Sequence, residues 1–208
     1  MITRMSINKN EKKPGADGVQ RSGQQLAADN DIKRLHQLEH AIGEKLEQRD
    51  FDEILEPSLP GYALVGPDGF EQMVGLNLDN IELGQAAALI ADFRNLHLLS
   101  LRDCQLTDIS FIQELSQLTH LSLTWIEITD ISSLQVLSQL TELNLDITYI
   151  TDFSPLQGLS QLKHLSLGAN QITDISFLQG LNKLTELILA YNQITDISLL
   201  QGLSQLTR

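Results

Sequence analysis

The residues best suited to catalysis lie close together near the amino terminus. His36, Glu39 and His40 fit the pattern H-x-x-E-H. On a helix, two histidines four residues apart can bind zinc while the glutamate activates a water molecule. Such a hydrolase also needs a third metal ligand and a sizeable catalytic domain, whereas a stretch rich in Pro and Gly follows this segment. We therefore interpret the three residues as solvated side chains of a charged helix.

Other catalytic chemistry has little support in the sequence. Cys104 is the only cysteine among the 208 residues, which excludes an intramolecular disulfide and a cysteine-based zinc site. The patterns G-x-x-x-x-G-K-S/T, G-x-G-x-x-G and G-x-S-x-G do not occur, so phosphate-binding loops and nucleophile elbows lack local support. The sequence predicts a protein that is not an enzyme and that needs neither cofactor nor metal.

Composition and charge narrow the class of protein further. With 42% hydrophobic residues, 20% charged residues and a mean hydropathy of -0.07, the chain is expected to fold as one or two soluble domains. The formal net charge of -13 disfavours nucleic acid and anionic membranes as partners, because both attract Lys and Arg. The polar start, Met1 to Lys9, has no apolar secretory core, so we expect a cytoplasmic protein.

The amino-terminal third is expected to contain a tail, a helix and a linker. Residues 1–30 are rich in Asn, Lys, Gly, Gln and Ser, which predicts a disordered tail. From Asp31, a candidate N-cap, apolar residues recur every three or four positions and predict an amphipathic helix. Several Pro and Gly residues then surround the apolar stretch 62–65, which we interpret as part of a linker. Helix and linker, residues 31–72, are expected to act as an amino-terminal cap.

A 22-residue repeat determines the architecture of the remaining chain. Leucines recur at this spacing without an insertion: Leu96, Leu118, Leu140, Leu162, Leu184 and Leu206. In the five regular units of residues 96–205, apolar residues occupy positions 1, 4, 6, 11, 14, 17 and 20. Alternation around positions 4 and 6 predicts a short strand with one buried face. A single unit cannot bury its leucines, so the units must stack.

The repeat resembles a known family. The stretch Asn170-Gln-Ile-Thr-Asp-Ile-Ser-Phe-Leu-Gln-Gly-Leu is similar to the leucine-rich repeat of bacterial internalin-type proteins. The resemblance implies an α/β solenoid with a curved parallel sheet on its concave face and short helical or 3-10 segments on its convex face. Residues 73–95 resemble a divergent first repeat whose return segment is a true helix, and residues 206–208 begin a sixth regular repeat. The predicted repeat domain is therefore 73–208.

Two recurring positions are expected to serve the scaffold. Position 9 holds Asn or Cys in the family, where the polar group bonds to turn backbone; here it reads Cys104, Ile126, Thr148, Asn170 and Asn192. We therefore predict a complete ladder only at the carboxyl-terminal end, and a buried structural role for Cys104. Position 13 is always Asp: Asp108, Asp130, Asp152, Asp174 and Asp196. This column is predicted to cap the turns rather than to bind a cation.

Positions 3, 5 and 7 vary between repeats and would point outward from the concave face. His and Glu alternate at position 3, which indicates either a recognition strip with pH sensitivity or cross-strand charge pairing on a solvated sheet. Trp125, Tyr149 and Tyr191, at positions 8 or 10, are expected to be contact residues. The predicted protein-binding residues are Arg102, His120, Trp125, Glu142, Asp146, Tyr149, His164, Glu186 and Tyr191.

The predicted function is a non-enzymatic protein-protein interaction module that binds an unidentified protein or peptide on its concave face. The resemblance does not carry host-cell invasion over, because the secretion signal and anchoring region of internalin surface proteins are not expected here. The chain stops at Leu206-Thr-Arg, where a sixth strand should begin. Two alternatives therefore remain: a truncated sensor portion of a larger GTPase or ATPase-type signalling protein, or a non-functional gene fragment.

Overall fold

The computed structural model describes residues 23–49, 60–65 and 72–207. Within them, one sheet contains eight strands in chain order. The strands are β1 (Glu47–Gln48), β2 (Gly61–Val65), β3 (Gln72–Asn77), β4 (Leu98–Ser100), β5 (His120–Ser122), β6 (Glu142–Asn144), β7 (His164–Ser166) and β8 (Glu186–Ile188). From β5 onwards the central residue of each strand is a leucine that faces the core.

The repeat period sets the register of the sheet. Strands β3 to β8 are parallel, and residues 22 positions apart lie side by side, as Leu121 beside Leu143 and Leu143 beside Leu165. The predicted leucine-rich repeat solenoid is thereby confirmed. The amino-terminal end is different, since β1 and β2 are parallel to each other while β2 is antiparallel to β3. Residues 61–65, interpreted from the sequence as linker, are thus a strand of the same sheet.

Short 3-10 helices return the chain from one strand to the next. They span Gly84–Asp92, Ser110–Glu114, Ser132–Val136, Ser154–Gly158, Ser176–Leu178 and Ser198–Gly202. The prediction of a true helix in the first repeat is wrong, because Gly84–Asp92 is also a 3-10 helix. Its buried residues Ala87 and Ile90, with Phe93 directly after its end, recur every three residues, a spacing that both helix types accommodate on one face.

The main apolar core of the described residues lies between the sheet and the return segments, and a small second cluster contains Ala63 and Leu98. Position 1 of each regular repeat is completely buried from Leu96 to Leu184, and the core extends continuously from Leu35 of the amino-terminal helix to Leu203. Each fully buried leucine stabilises the fold by about 1.5–3 kcal/mol relative to an exposed one. Most of that gain depends on the adjacent repeat, which covers the side chain.

The amino-terminal helix α1 (Gly23–Ile42) starts earlier than the sequence suggested. Asp31 is therefore not an N-cap; it lies inside the helix and is 2% exposed. Its Oδ2 accepts a hydrogen bond from the Met73 backbone N–H at 3.2 Å, and its Oδ1 accepts one from Arg34 Nη1 at 3.0 Å. Residues 23–30 of the predicted disordered tail belong to this helix, and residues 1–22 lie outside the described residues.

In the described part of the chain, no helix is sufficiently long and apolar to span a lipid bilayer.

Candidate protein-binding groove

The outer face of strands β4 to β8 forms a groove of about 540 Å³. Strand geometry places positions 3 and 5 of each repeat on this face, opposite the buried leucine between them. Seven of the nine predicted binding residues line the groove: Arg102, His120, Trp125, Glu142, Asp146, His164 and Glu186. The structure brings these seven together, and whether they bind a partner stays a prediction.

One carboxylate joins two histidines at the floor of the groove. Glu142 Oε1 lies 3.4 Å from His120 Nε2 and 3.2 Å from His164 Nδ1, because the three residues are neighbours in the sheet register. His120 Nδ1 is also 2.8 Å from the hydroxyl oxygen of Thr119. These contacts join side chains across neighbouring strands, and all three side chains remain partly exposed. Among the residues that the structure describes, no group of three or more His, Cys, Asp or Glu is arranged to hold a metal ion.

Asp146 connects two neighbouring repeats. Its backbone N–H donates to Asn144 Oδ1 at 2.9 Å. Its Oδ1 accepts hydrogen bonds from Ser166 Oγ at 2.7 Å and from the Gly168 N–H at 2.6 Å. A Cβ atom at Gly168 would lie 3.2 Å from that same oxygen, so the glycine leaves room for the carboxylate. This predicted binding residue therefore also stabilises the scaffold.

The same arrangement occurs at the start of the repeats, where the sequence analysis missed it. Asn77 Oδ1 accepts the Asp79 N–H at 2.9 Å. Asp79 Oδ1 in turn accepts hydrogen bonds from the Ser100 hydroxyl at 2.6 Å and from the Arg102 backbone N–H at 2.9 Å. The sequence does contain a signal for this arrangement. Leu-Asn-Leu-Asp occurs at both 76–79 and 143–146, and in each case the next repeat has Ser at position 5.

Two of the residues at position 8, Trp125 and Ile147, form one wall of the groove. Trp125, Ile147 and Tyr191 all have a left-handed backbone, with φ of 59°, 57° and 58°. The N–H of Trp125 donates to Asp146 O at 3.1 Å, and that of Ile147 donates to Gly168 O at 3.0 Å, so the turn is bonded to the next repeat. Trp125 remains 53% exposed and lines the groove. Ile147 lines it as well, and its place in the same column was the signal that the sequence analysis missed.

The two predicted tyrosines lie elsewhere. Tyr149, at position 10, is exposed and lies outside the groove. Tyr191 is 90% exposed and lies beside a second cavity of about 410 Å³ at the last described repeat. Apolar residues line that cavity: Leu187, Leu189, Ile194, Ile197, Leu200 and Leu206. The predicted aromatic set is thus divided between three places.

The polar residues at position 9 bond to turn backbone, whereas the apolar Ile126 interrupts the ladder. Asn170 Nδ2 donates to Leu145 O at 2.9 Å and to Leu167 O at 3.1 Å, and its Oδ1 accepts the Thr148 N–H at 3.0 Å. Cys104 is completely buried, and its Sγ donates to Leu78 O at 3.1 Å. Burial raises the pKa of the Cys104 thiol to about 12. A protonated, inaccessible thiol is a structural residue rather than a nucleophile.

The recurring aspartates cap the turns, as the sequence predicted. The Oδ1 atoms of Asp108, Asp130, Asp152, Asp174 and Asp196 each accept the backbone N–H of the serine two residues later, at 2.8–2.9 Å. Hydrogen bonds from Ser132 and Ser198 lower the pKa of Asp130 and Asp196, with the backbone N–H as the larger cause. For Asp152 the Ser154 hydroxyl is the larger cause of the lowered pKa.

The H-x-x-E-H segment has a structural use at the end of helix α1. Glu39 Oε1 accepts the backbone N–H of Leu46 at 2.9 Å, which fastens the chain that follows the helix. His36 and His40 are exposed. The histidines agree with the interpretation of solvated helix side chains, whereas that interpretation is wrong for Glu39, which is half-buried and engaged by backbone.

The parallel strands, 3-10 returns and buried leucine columns define a leucine-rich repeat protein. The leucine rich repeat family profile matches residues 138–194. Internalin C2 (inlC2) from Listeria monocytogenes is a similar solved structure, with 27% identity, a TM-score of 0.60 and coverage of 92% of this chain and 88% of that one. The chain is therefore an internalin-like leucine-rich repeat protein.

Two further solved structures match parts of the chain. An internalin (inlF) from Listeria monocytogenes has 32% identity and a TM-score of 0.49; the match covers 65% of this chain and 46% of the internalin, so the chain spans less than half its length. The leucine-rich repeat ectodomain of the plant membrane receptor kinase GASSHO1/SCHENGEN3 from Arabidopsis thaliana, solved in complex with CASPARIAN STRIP INTEGRITY FACTOR 2, shares the fold. That match has 23% identity and a TM-score of 0.58, and it covers 76% of this chain and 20% of the ectodomain chain. No curated protein sequence matches the chain.

Proposed function

We propose that this chain is a non-enzymatic interaction module that binds a protein or peptide partner in the groove on β4 to β8. The observation that carries the proposal is the division of each repeat into two parts. Leucines and turn caps recur at fixed positions and build the scaffold, whereas the side chains that line the groove differ from repeat to repeat. A rigid scaffold lowers the ordering cost of binding, and variable side chains provide specificity.

The composition of the groove supports this proposal. Trp125 and Ile188 are about half exposed within it, surrounded by His, Glu and Ser side chains. Aromatic and apolar anchors within a polar rim are typical of protein interfaces. The carboxylates of the groove outnumber its cations, so we propose a protein or peptide rather than nucleic acid or an anionic membrane as the partner.

The proposal is tested by affinity capture from native lysate with the full chain as bait and quantitative mass spectrometry of the bound proteins. Trp125→Ala removes a groove anchor, while Tyr149→Ala removes a similarly exposed aromatic outside the groove. We expect a partner that the parent and Tyr149→Ala retain equally and that Trp125→Ala loses about tenfold. Circular dichroism confirms that both variants remain folded. Equal capture by all three baits contradicts the groove as the binding site.

A further inference from the structure

The groove is acidic. Among the residues that the structure describes, four carboxylates line it, from Asp79, Glu142, Asp146 and Glu186, whereas Arg102 supplies the one permanent positive charge. The formal charge of the whole chain, -13, has the same sign. A concave surface lined by one sign of charge concentrates the opposite charge.

The four carboxylates differ in what they already bind. Asp79 and Asp146 accept hydrogen bonds from the next repeat, and Glu142 lies between two histidines. The backbone N–H of Glu186 donates to Lys163 O at 3.0 Å, but its carboxylate has no hydrogen bond or ion pair with any other residue in the described ranges, although it lines the groove. Its carboxylate can therefore receive a cation without breaking an internal contact.

An apolar side chain lies next to this carboxylate. Ile188 is two residues further along β8, on the same face, and is 46% exposed. The preceding repeats have Ser100, Ser122, Asn144 and Ser166 at the same position. Trp125 and Ile147 add apolar surface along the wall. Lysine and arginine suit such a mixture, because their methylene groups pack on apolar or aromatic surface while the charged end reaches a carboxylate.

The dimensions of the groove indicate the length of its occupant. Backbone groups of β4 to β7 bond to neighbouring strands, so a partner on this face must be recognised by side chains. Neighbouring strands are about 4.8 Å apart, so β4 to β8 extend over about 19 Å, the length of about six extended residues.

We infer that the groove binds an extended segment of a partner protein, about six residues long, in which a lysine or arginine at Glu186 is accompanied by an apolar residue at Ile188. This inference rests on the proposed function and specifies its partner by chemistry. The attraction weakens as salt screens the charges, and the apolar contact does not.

The test is selection from a displayed library of random seven-residue peptides on the immobilised full chain, followed by fluorescence anisotropy with labelled synthetic copies of the enriched peptides. Glu186→Gln and Ile188→Ser change the groove. Glu127→Gln and Val136→Ser make the same chemical changes at exposed residues outside it. We expect enrichment of Lys or Arg together with apolar residues. Each groove variant should weaken binding about tenfold, and each control variant less than twofold.

The possible outcomes separate this inference from the proposed function. Enriched peptides that are acidic or uncharged, and that the groove variants still weaken, overturn the basic segment but leave the groove as a binding site. A lack of enrichment above the bare support overturns the inference, while the capture experiment with Trp125→Ala decides the proposed function. Binding that Glu186→Gln and Glu127→Gln weaken equally reflects overall charge and overturns the inference as well.

The amino-terminal segment of this chain is a competing occupant. Residues 1–22 contain five basic and two acidic residues. The full chain carrying Lys9→Gln, Lys12→Gln and Lys13→Gln distinguishes the two sources. Unchanged affinity for the enriched peptides supports an external partner, and affinity raised tenfold or more overturns it in favour of the chain's own segment.

Discussion

At the scale of single residues, the turn after each strand imposes an unusual backbone. Six residues at position 8 have φ between 53° and 63°: Asn80, Asp103, Trp125, Ile147, Ala169 and Tyr191. Asn and Asp tolerate this left-handed conformation, whereas side chains branched at Cβ are strained in it. The N–H of Ile147 is nevertheless held by Gly168 O, so the repeat fixes the conformation whatever side chain is present.

Ile147→Asn should therefore stabilise the protein. Relief of left-handed strain is expected to outweigh the packing lost from an isoleucine that is 38% exposed, and to raise the free energy of unfolding by about 1 kcal/mol. Urea denaturation measures the change. Ile147→Val keeps the Cβ branch, so its free energy of unfolding should not rise. If the Asn variant is no more stable than this control, left-handed strain at Ile147 does not lower the stability of the protein.

At the scale of elements, polar side chains hold neighbouring repeats in register. The amide of Asn170 joins two carbonyl oxygens and one N–H from two turns. Asn192 makes corresponding bonds to Leu167 O and Leu189 O in the last described repeat. Asn170 is 4% exposed and Asn192 is partly exposed, so water can replace the bonds of the second more easily.

Asn170→Ala is expected to lower the free energy of unfolding by about 3 kcal/mol, because it leaves buried backbone groups without partners. Asn192→Ala, its matched control, should cost less than half of that. Urea denaturation of both variants measures the difference. Equal losses of unfolding free energy in the two variants would show that burial of the turn does not determine how much the asparagine stabilises the fold.

The aspartates at position 13 make the turns sensitive to acid. Hydrogen bonding lowers the folded-state pKa of Asp130, Asp152 and Asp196 below the ordinary 3.8. Their stabilisation is thus present above about pH 4 and is lost as pH falls through the lowered values. Asparagine at all three positions keeps the acceptor without the titration, so that variant should lose less stability than the parent between about pH 5 and pH 3.

Thermal unfolding across this pH range measures the effect. The control replaces three exposed carboxylates that cap no turn, with Glu82→Gln, Asp92→Asn and Glu127→Gln. It removes the same charge and should keep the acid sensitivity of the parent. A flattened pH profile in the control would assign the effect to net charge instead of the caps.

The sequence predicted those elements that repetition determines. A constant period of 22 residues determines which side chains are neighbours, so His120, Glu142 and His164 could be placed side by side before the structure was known. Strand β2 could not be predicted in the same way, because its partner β3 is antiparallel and no repeat relates the two. The bonds of Asp79 were missed because its repeat is divergent and shares Leu-Asn-Leu-Asp with only one regular repeat, at 143–146.

At the scale of the whole molecule, stability depends on the contacts that each unit makes with its neighbours along the chain. Each repeat contacts mainly the units on either side, so a defect should spread only as far as the interfaces it weakens. Helix α1 is the first of these units. Asp31 fastens it to β3 through the Met73 N–H, and Leu35 and Leu38 pack into the shared core.

Asp31→Ala should therefore loosen the amino-terminal end while the distant repeats keep their structure. Loss of a buried carboxylate that accepts the Met73 N–H and the Arg34 guanidinium is expected to cost about 2 kcal/mol. Hydrogen exchange should become faster at Met73 and across 84–92, and remain unchanged across 162–183. Asp31→Asn retains an acceptor and should have a smaller effect. Faster exchange throughout the chain would show that the solenoid unfolds as one cooperative unit, and that helix α1 controls all of it.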